Sequence, residues 1–248
     1  MHRLFPDMTD RPAGRTVAGG AIFWPVYTIV LPFFISVLLT ETEGEALWIL
    51  MLYGSSFLAV ALIFRKYLIE SFTQVRWYPG RFCAVVGVSA CVTFAVELLL
   101  VWLCTRSWNM EVAYASMNLL PVAELPLGVN VSIAMMEMPV WMTICSCVFV
   151  PGVMCCLYYG VGFAPAAVER PWLGYVIVLV LAAVPRLLGL GNMGFPMYQL
   201  MVYLLQLPYH LLACWAYQKA DTIWAPICMY ALVNFLSCLA ANILYCVL

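Results

Sequence analysis

The sequence predicts an all-α bundle that crosses a membrane about seven times. Three observations predict it. The 248 residues are 66% hydrophobic and 9% charged, where a soluble domain carries about 25% charge. The apolar residues come in blocks of about 20, the length a helix needs to cross a bilayer. Lys and Arg fall unevenly between the blocks, as they do when one side faces the cytoplasm.

Residues 1–20 form a basic tail with Arg3, Arg11 and Arg15. The apolar run that follows is longer than a signal-peptide core and lacks a small-x-small site at its end, so it is read as retained. Residues 21–248 then form a single membrane domain. The first three spans (residues 21–104) are predicted near Ala21–Leu39, Ala46–Phe64 and Phe82–Cys104. An acidic turn with Glu41, Glu43 and Glu45 joins the first two. A basic loop with Arg65, Lys66, Arg76 and Arg81, flanked by Trp77 and Tyr78 as interfacial aromatics, joins the next two. Residues 105–138 read as a long loop with Glu124 and Glu137 and a short interfacial helix near Met110–Leu120. The remaining spans are predicted near Pro139–Phe163, Trp172–Leu190, Phe195–Tyr217 and Thr222–Leu248, with a loop around Pro165–Pro171. Nine Lys and Arg fall on the side of the N-terminus and two on the other. This places the N-terminus in the cytoplasm.

The net charge of −1 excludes a nucleic-acid partner, which needs a basic surface. The 11 cysteines lie mostly inside apolar blocks and show no CxxC spacing. They read as small packing residues, and adjacent Cys155 and Cys156 point about 100° apart on a helix. No metal or cofactor is expected. Two ionisable residues fall inside spans, Glu97 and His210. His210 reads either as a core histidine bonded to a backbone carbonyl freed by Pro208, or with Glu97 as an intramembrane proton site.

On a helix, Tyr230 and Asn234 share one face about one turn apart. Two polar groups on one face of a lipid-length helix must point at protein or water. They close the stretch Thr222–Asn234, TIWAPICMYALVN. This resembles the last motif of the CPBP family, intramembrane proteases related to CAAX prenyl proteases and bacteriocin-processing proteins, where S-I-W-A-P-I-x-x-H-A-x-x-N is typical. Tyr230 stands at the histidine. Pro151–Gly160, PGVMCCLYYG, resembles the family's P-x-x-E-E-x-x-F-R-G, with Met154 and Cys155 at the glutamates and Tyr159 at the arginine. The family's F-x-x-x-H falls on Leu181–Arg186, with Pro185 or Arg186 at the histidine.

The resemblance covers residues 139–240 and implies a CPBP-like core in a bacterial cell membrane. It also implies a site from which both glutamates, the arginine and both histidines are missing. A carboxylate can take a proton from water; a thioether cannot, and a thiol among apolar groups stays neutral. The expectation is therefore a pseudoenzyme, more a scaffold than a protease. Its cavity positions Met154, Cys155, Tyr159, Pro185, Arg186, Tyr230 and Asn234 would hold a peptide, a lipid or a partner membrane protein. Two alternatives stay open: an active endopeptidase rebuilt from Glu97, Glu124, Glu137 and His210, and a proton-coupled carrier or channel using Glu97 and His210.

Overall fold

The computed structural model describes residues 9–31, 45–107, 144–187 and 196–247. Among these the chain is helical, with no strand. Helix α1 (Gly14–Pro25) runs into a wide turn at Val26–Val30. Helices α2 (Glu45–Trp77) and α3 (Pro79–Ser107) follow. A central rod comprises a wide turn at Cys145–Phe149, α4 (Val150–Met154), a second wide segment at Cys155–Phe163, and α5 (Ala164–Glu169). Helices α6 (Pro171–Leu187), α7 (Pro196–Ala220) and α8 (Trp224–Val247) complete the order.

Three stretches among the described residues are long and apolar enough to cross a membrane: Leu50–Trp77, Pro79–Val96 and Cys147–Val168. They differ in burial. The first two are 28% and 22% buried and the third 78%, so the rod is the centre of the bundle and α2 and α3 lie on its outside. Shorter apolar helices cover Pro171–Val184 and Trp224–Ser237. Helix α3 packs on α7 and α8, and α6 packs on the rod and on α7.

The structure departs from the sequence reading in two connections. The basic stretch 65–81, expected as a loop, is helical up to Trp77, with only Tyr78 between α2 and α3. No glycine or proline interrupts residues 65–77, and Pro79 opens α3, where its missing N–H costs little. Helix α2 therefore has 33 residues, about 50 Å, and outruns a hydrocarbon core of about 30 Å. Likewise, the loop expected at 165–171 is helical to Glu169 and breaks only at Arg170, which is extended (φ −143°). The loop 105–138, with its interfacial helix, Glu124 and Glu137, lies outside the described residues apart from the end of α3.

The rod's wide turns have a local cause. The Val150 N–H bonds the Cys145 carbonyl and the Ala164 N–H bonds the Tyr159 carbonyl, both five residues back. Each wide turn comes just before a proline, Pro151 or Pro165, that cannot donate. Inside a membrane the freed carbonyls must find another donor, and a π-type register supplies one.

Two glycines let neighbouring helices approach the rod. A Cβ on Gly152 would lie 2.6 Å from the Phe57 ring, and one on Gly160 would lie 3.0 Å from the Phe64 ring. Small residues at helix crossings serve this purpose in membrane bundles. Gly152 and Gly160 thus have a packing role independent of any chemistry.

Candidate functional site

The motif-aligned positions whose side chains are described lie in the buried interior, where Tyr159 meets a buried imidazole. The rod contributes Met154, Cys155 and Tyr159, and α8 contributes Tyr230 and Asn234; all are buried, Cys155 at 0% exposure and Tyr159 at 1%. Helix α7 brings His210, also buried. The Tyr159 hydroxyl lies 3.0 Å from His210 Nδ1. Tyr158 and Tyr209 flank the imidazole, each with its ring centroid 5.8 Å away. Tyr209 in turn meets Tyr230 edge to face at 4.4 Å, the favoured aromatic geometry. Tyr230 and Asn234 share one buried face of α8, as their spacing predicts.

This arrangement can hold a proton between phenol and imidazole. With the phenol donating, Nδ1 accepts and Nε2 carries the ring proton. The described cluster has no carboxylate to activate a water. Among the described residues no three His, Cys, Asp or Glu side chains group to hold a metal. Glu97 lies on α3 and Pro185 and Arg186 lie on α6, but these three side chains are outside the described set. The structure therefore brings His210 to the aligned tyrosines, and its described partner is a phenol.

A second polar cluster, at one end of the bundle, has Asp10 at its centre. Asp10 Oδ2 accepts from the Tyr67 hydroxyl at 2.8 Å, the Ser71 hydroxyl at 2.8 Å and the Ile223 backbone N–H at 3.1 Å. Ser71 Oγ and Thr222 Oγ1 are 2.8 Å apart, and Tyr67 and Tyr217 share a hydroxyl–hydroxyl bond. Ile223 immediately precedes α8. A carboxylate from the far end of the chain thus caps the N-terminus of the last helix, where orphan N–H groups and the helix dipole favour negative charge. Asp221 anchors the other side. It sits at φ 53°, a left-handed conformation that Asp tolerates better than most residues. Its Oδ1 accepts from the N–H groups of Thr9 at 2.8 Å and Asp10 at 3.0 Å.

Sequence reasoning missed Asp10. One of two acids, with Asp7, in a basic tail, it carries no pattern of its own. The available signal was on the receiving side: Tyr67 and Ser71 are four apart on α2, a polar pair on one helical face.

Burial is the main cause that raises the Asp10 carboxyl above its ordinary 3.8. Hydrogen bonds from Ser71, Tyr67 and Ile223 oppose it, and the charge of Asp221 adds to it. The folded state therefore binds the proton more readily than the unfolded chain. This contribution to stability is fully present below 3.8 and is lost as pH rises through the folded value. Acidification from neutral pH should tighten the docked tail. A spin label at exposed Arg11 should become less mobile on that change, and Asp10→Asn should abolish the response. A label that loosens on acidification would contradict the assignment.

At the same end, the Arg81 guanidinium donates to the Lys219 carbonyl, and the Tyr175 hydroxyl donates to Gln218 Oε1 at 3.2 Å. The Trp224 indole N–H donates to the Leu68 carbonyl at 2.9 Å. These bonds bring the N-terminal ends of α3, α6 and α8 and the C-terminal ends of α2 and α7 together.

No protein-family model, curated protein or solved structure matches this chain.

Proposed function

We propose that this chain is a non-catalytic membrane protein, a scaffold or binding subunit built on the frame of a CPBP-type intramembrane protease. The observation that carries this reading is what occupies the interior. The positions that align with the family's glutamate pair, arginine and last histidine are Met154, Cys155, Tyr159 and Tyr230, all buried in one core. A thioether, a thiol and two phenols fill the place where hydrolysis would need carboxylates and imidazoles. Gly160 serves helix packing, which supports a motif frame that outlives its chemistry.

The seven-span topology belongs to the same proposal. The tail bonds at Asp221, α2 and α3 turn over at Tyr78, and the rod turns into α6 at Arg170. Helices α7 and α8 meet at Asp221, and the α3, α6 and α7 ends share the bonds of Arg81 and Tyr175. One end of the bundle thus receives α1, α2, α3, the rod, α6, α7 and α8 in alternating direction. It carries Arg11, Arg76, Arg81, Arg170 and Lys219, which supports a cytoplasmic N-terminus.

Purified protein in liposomes should produce no new peptide termini from prenylated or transmembrane peptides, as read by mass spectrometry. Cleavage that disappears in His210→Ala would establish the rebuilt protease instead. The Tyr159–His210 bond favours one second reading, a proton-coupled carrier. Proton flux in liposomes that is lost in both Tyr159→Phe and His210→Ala would select it.

A further inference from the structure

We propose that the groove between α3, α6 and α7 is a binding site for an anionic phospholipid, with one acyl chain in the groove and the headgroup on Arg81, Arg170 and Lys219. The groove has a volume of about 540 Å³, the size range of ligand sites. Its walls include Val88 and Val92 of α3, Trp172 of α6, and Leu211 and Trp215 of α7. Val88, Val92, Trp172 and Leu211 are exposed, so the groove opens outward from the bundle.

The chemistry of the walls selects the occupant. The hydroxyl groups that reach the groove are already engaged with the protein. The Ser89 hydroxyl donates to the Val85 carbonyl of its own helix at 2.7 Å, and the Tyr175 hydroxyl donates to Gln218. A peptide backbone laid here would leave its N–H and C=O groups unmet; a hydrocarbon chain has none to satisfy. One end of the groove is charged. Lys219 lies one helical turn beyond Trp215, Arg170 lies two residues before Trp172, and Arg81 bonds the Lys219 carbonyl. Asp221, a nearby acid, is held by the N–H groups of Thr9 and Asp10, and the Asp10 carboxylate by Tyr67, Ser71 and the Ile223 N–H. Glu169 is a further acid near this end by sequence. From Lys219 to Leu211 the helix descends about 12 Å, from headgroup depth into the apolar layer. Trp172 and Trp215 at the charged end suit the interface between them.

The inference rests on membrane insertion and not on protease ancestry. The test uses the full chain in phosphatidylcholine vesicles with trace spin-labelled phosphatidylglycerol or phosphatidylcholine. The motionally restricted fraction should favour phosphatidylglycerol by about fivefold or more, the expected effect of one to three basic residues near a headgroup. Arg170→Gln with Lys219→Gln should lower that preference severalfold, with Arg81 left to hold α7. Leu211→Trp, on the exposed face, should reduce the restricted fraction of both lipids by filling the groove. Equal restriction of the two lipids by the unmodified protein would overturn the proposal, as would a preference unmoved by neutralisation or a restricted fraction unmoved by Leu211→Trp. Failure of the protein to float with the vesicles would instead overturn the membrane reading itself.

Discussion

Asp10→Ala is expected to release the N-terminal tail and destabilise the bundle by about 2–3 kcal/mol. The Asp10 carboxylate receives hydrogen bonds from Tyr67, Ser71 and the Ile223 N–H. Alanine removes all three at once, and a buried donor left unmet costs about 1–3 kcal/mol. The total stays below the sum because all three donors have other company: Tyr67 also bonds the Tyr217 hydroxyl, Ser71 Oγ also bonds Thr222, and the Ile223 N–H also reaches Ser71 Oγ. Asp10→Asn keeps one acceptor oxygen and should lose less than half as much. Thermal unfolding in detergent, together with trypsin cleavage after exposed Arg15, measures both parts. Equal melting temperatures for the Ala and Asn variants would refute the capping role. Cleavage at Arg15 unchanged in Asp10→Ala would refute the anchoring role.

Gly160→Leu is expected to cost about 3 kcal/mol or more. Even a methyl group at this position meets the Phe64 ring at 3.0 Å, and Phe64 is itself fully buried. Three further carbons have nowhere to go without parting α2 from the rod, and overpacking a tight core typically costs about 1–3 kcal/mol, occasionally more. Gly80→Leu is the matched control, because a Cβ there meets nothing within 4 Å. Loss of the monodisperse peak on size-exclusion chromatography by Gly160→Leu, with Gly80→Leu intact, is the predicted pattern. Equal behaviour of the two variants would remove the packing role assigned to Gly160.

The all-helical class was legible because it rests on composition and block length, which do not depend on partners. The central rod was legible in part: its apolar run gave its existence, while its burial depends on what surrounds it. The α2–α3 connection was misread because charged residues were taken as the end of a helix. Arg65, Lys66 and Arg76 are good helix formers, and a helix can outrun the membrane that it crosses. At the interior site, the spacing of Tyr230 and Asn234 predicted their common face. The meeting of His210 with Tyr159 was not readable, because 51 residues separate them and no local period links α7 to the rod. Asp10 was the furthest from sight. Its partners lie up to 213 residues away, and nothing beside Asp10 in the tail sequence reveals a cap on another helix.

The proposed non-catalytic role requires a dry, filled interior around Cys155 and Cys156. Site-resolved labelling of cysteines by a membrane-permeant, water-dependent maleimide in proteoliposomes tests it most directly. Cys83 is exposed, two residues beyond Arg81, while Cys155 and Cys156 are buried in the rod. The account predicts rapid modification of Cys83, with Cys155 and Cys156 reacting only after unfolding. Modification of Cys155 in the folded protein as fast as Cys83 would place water at the heart of the bundle and contradict it.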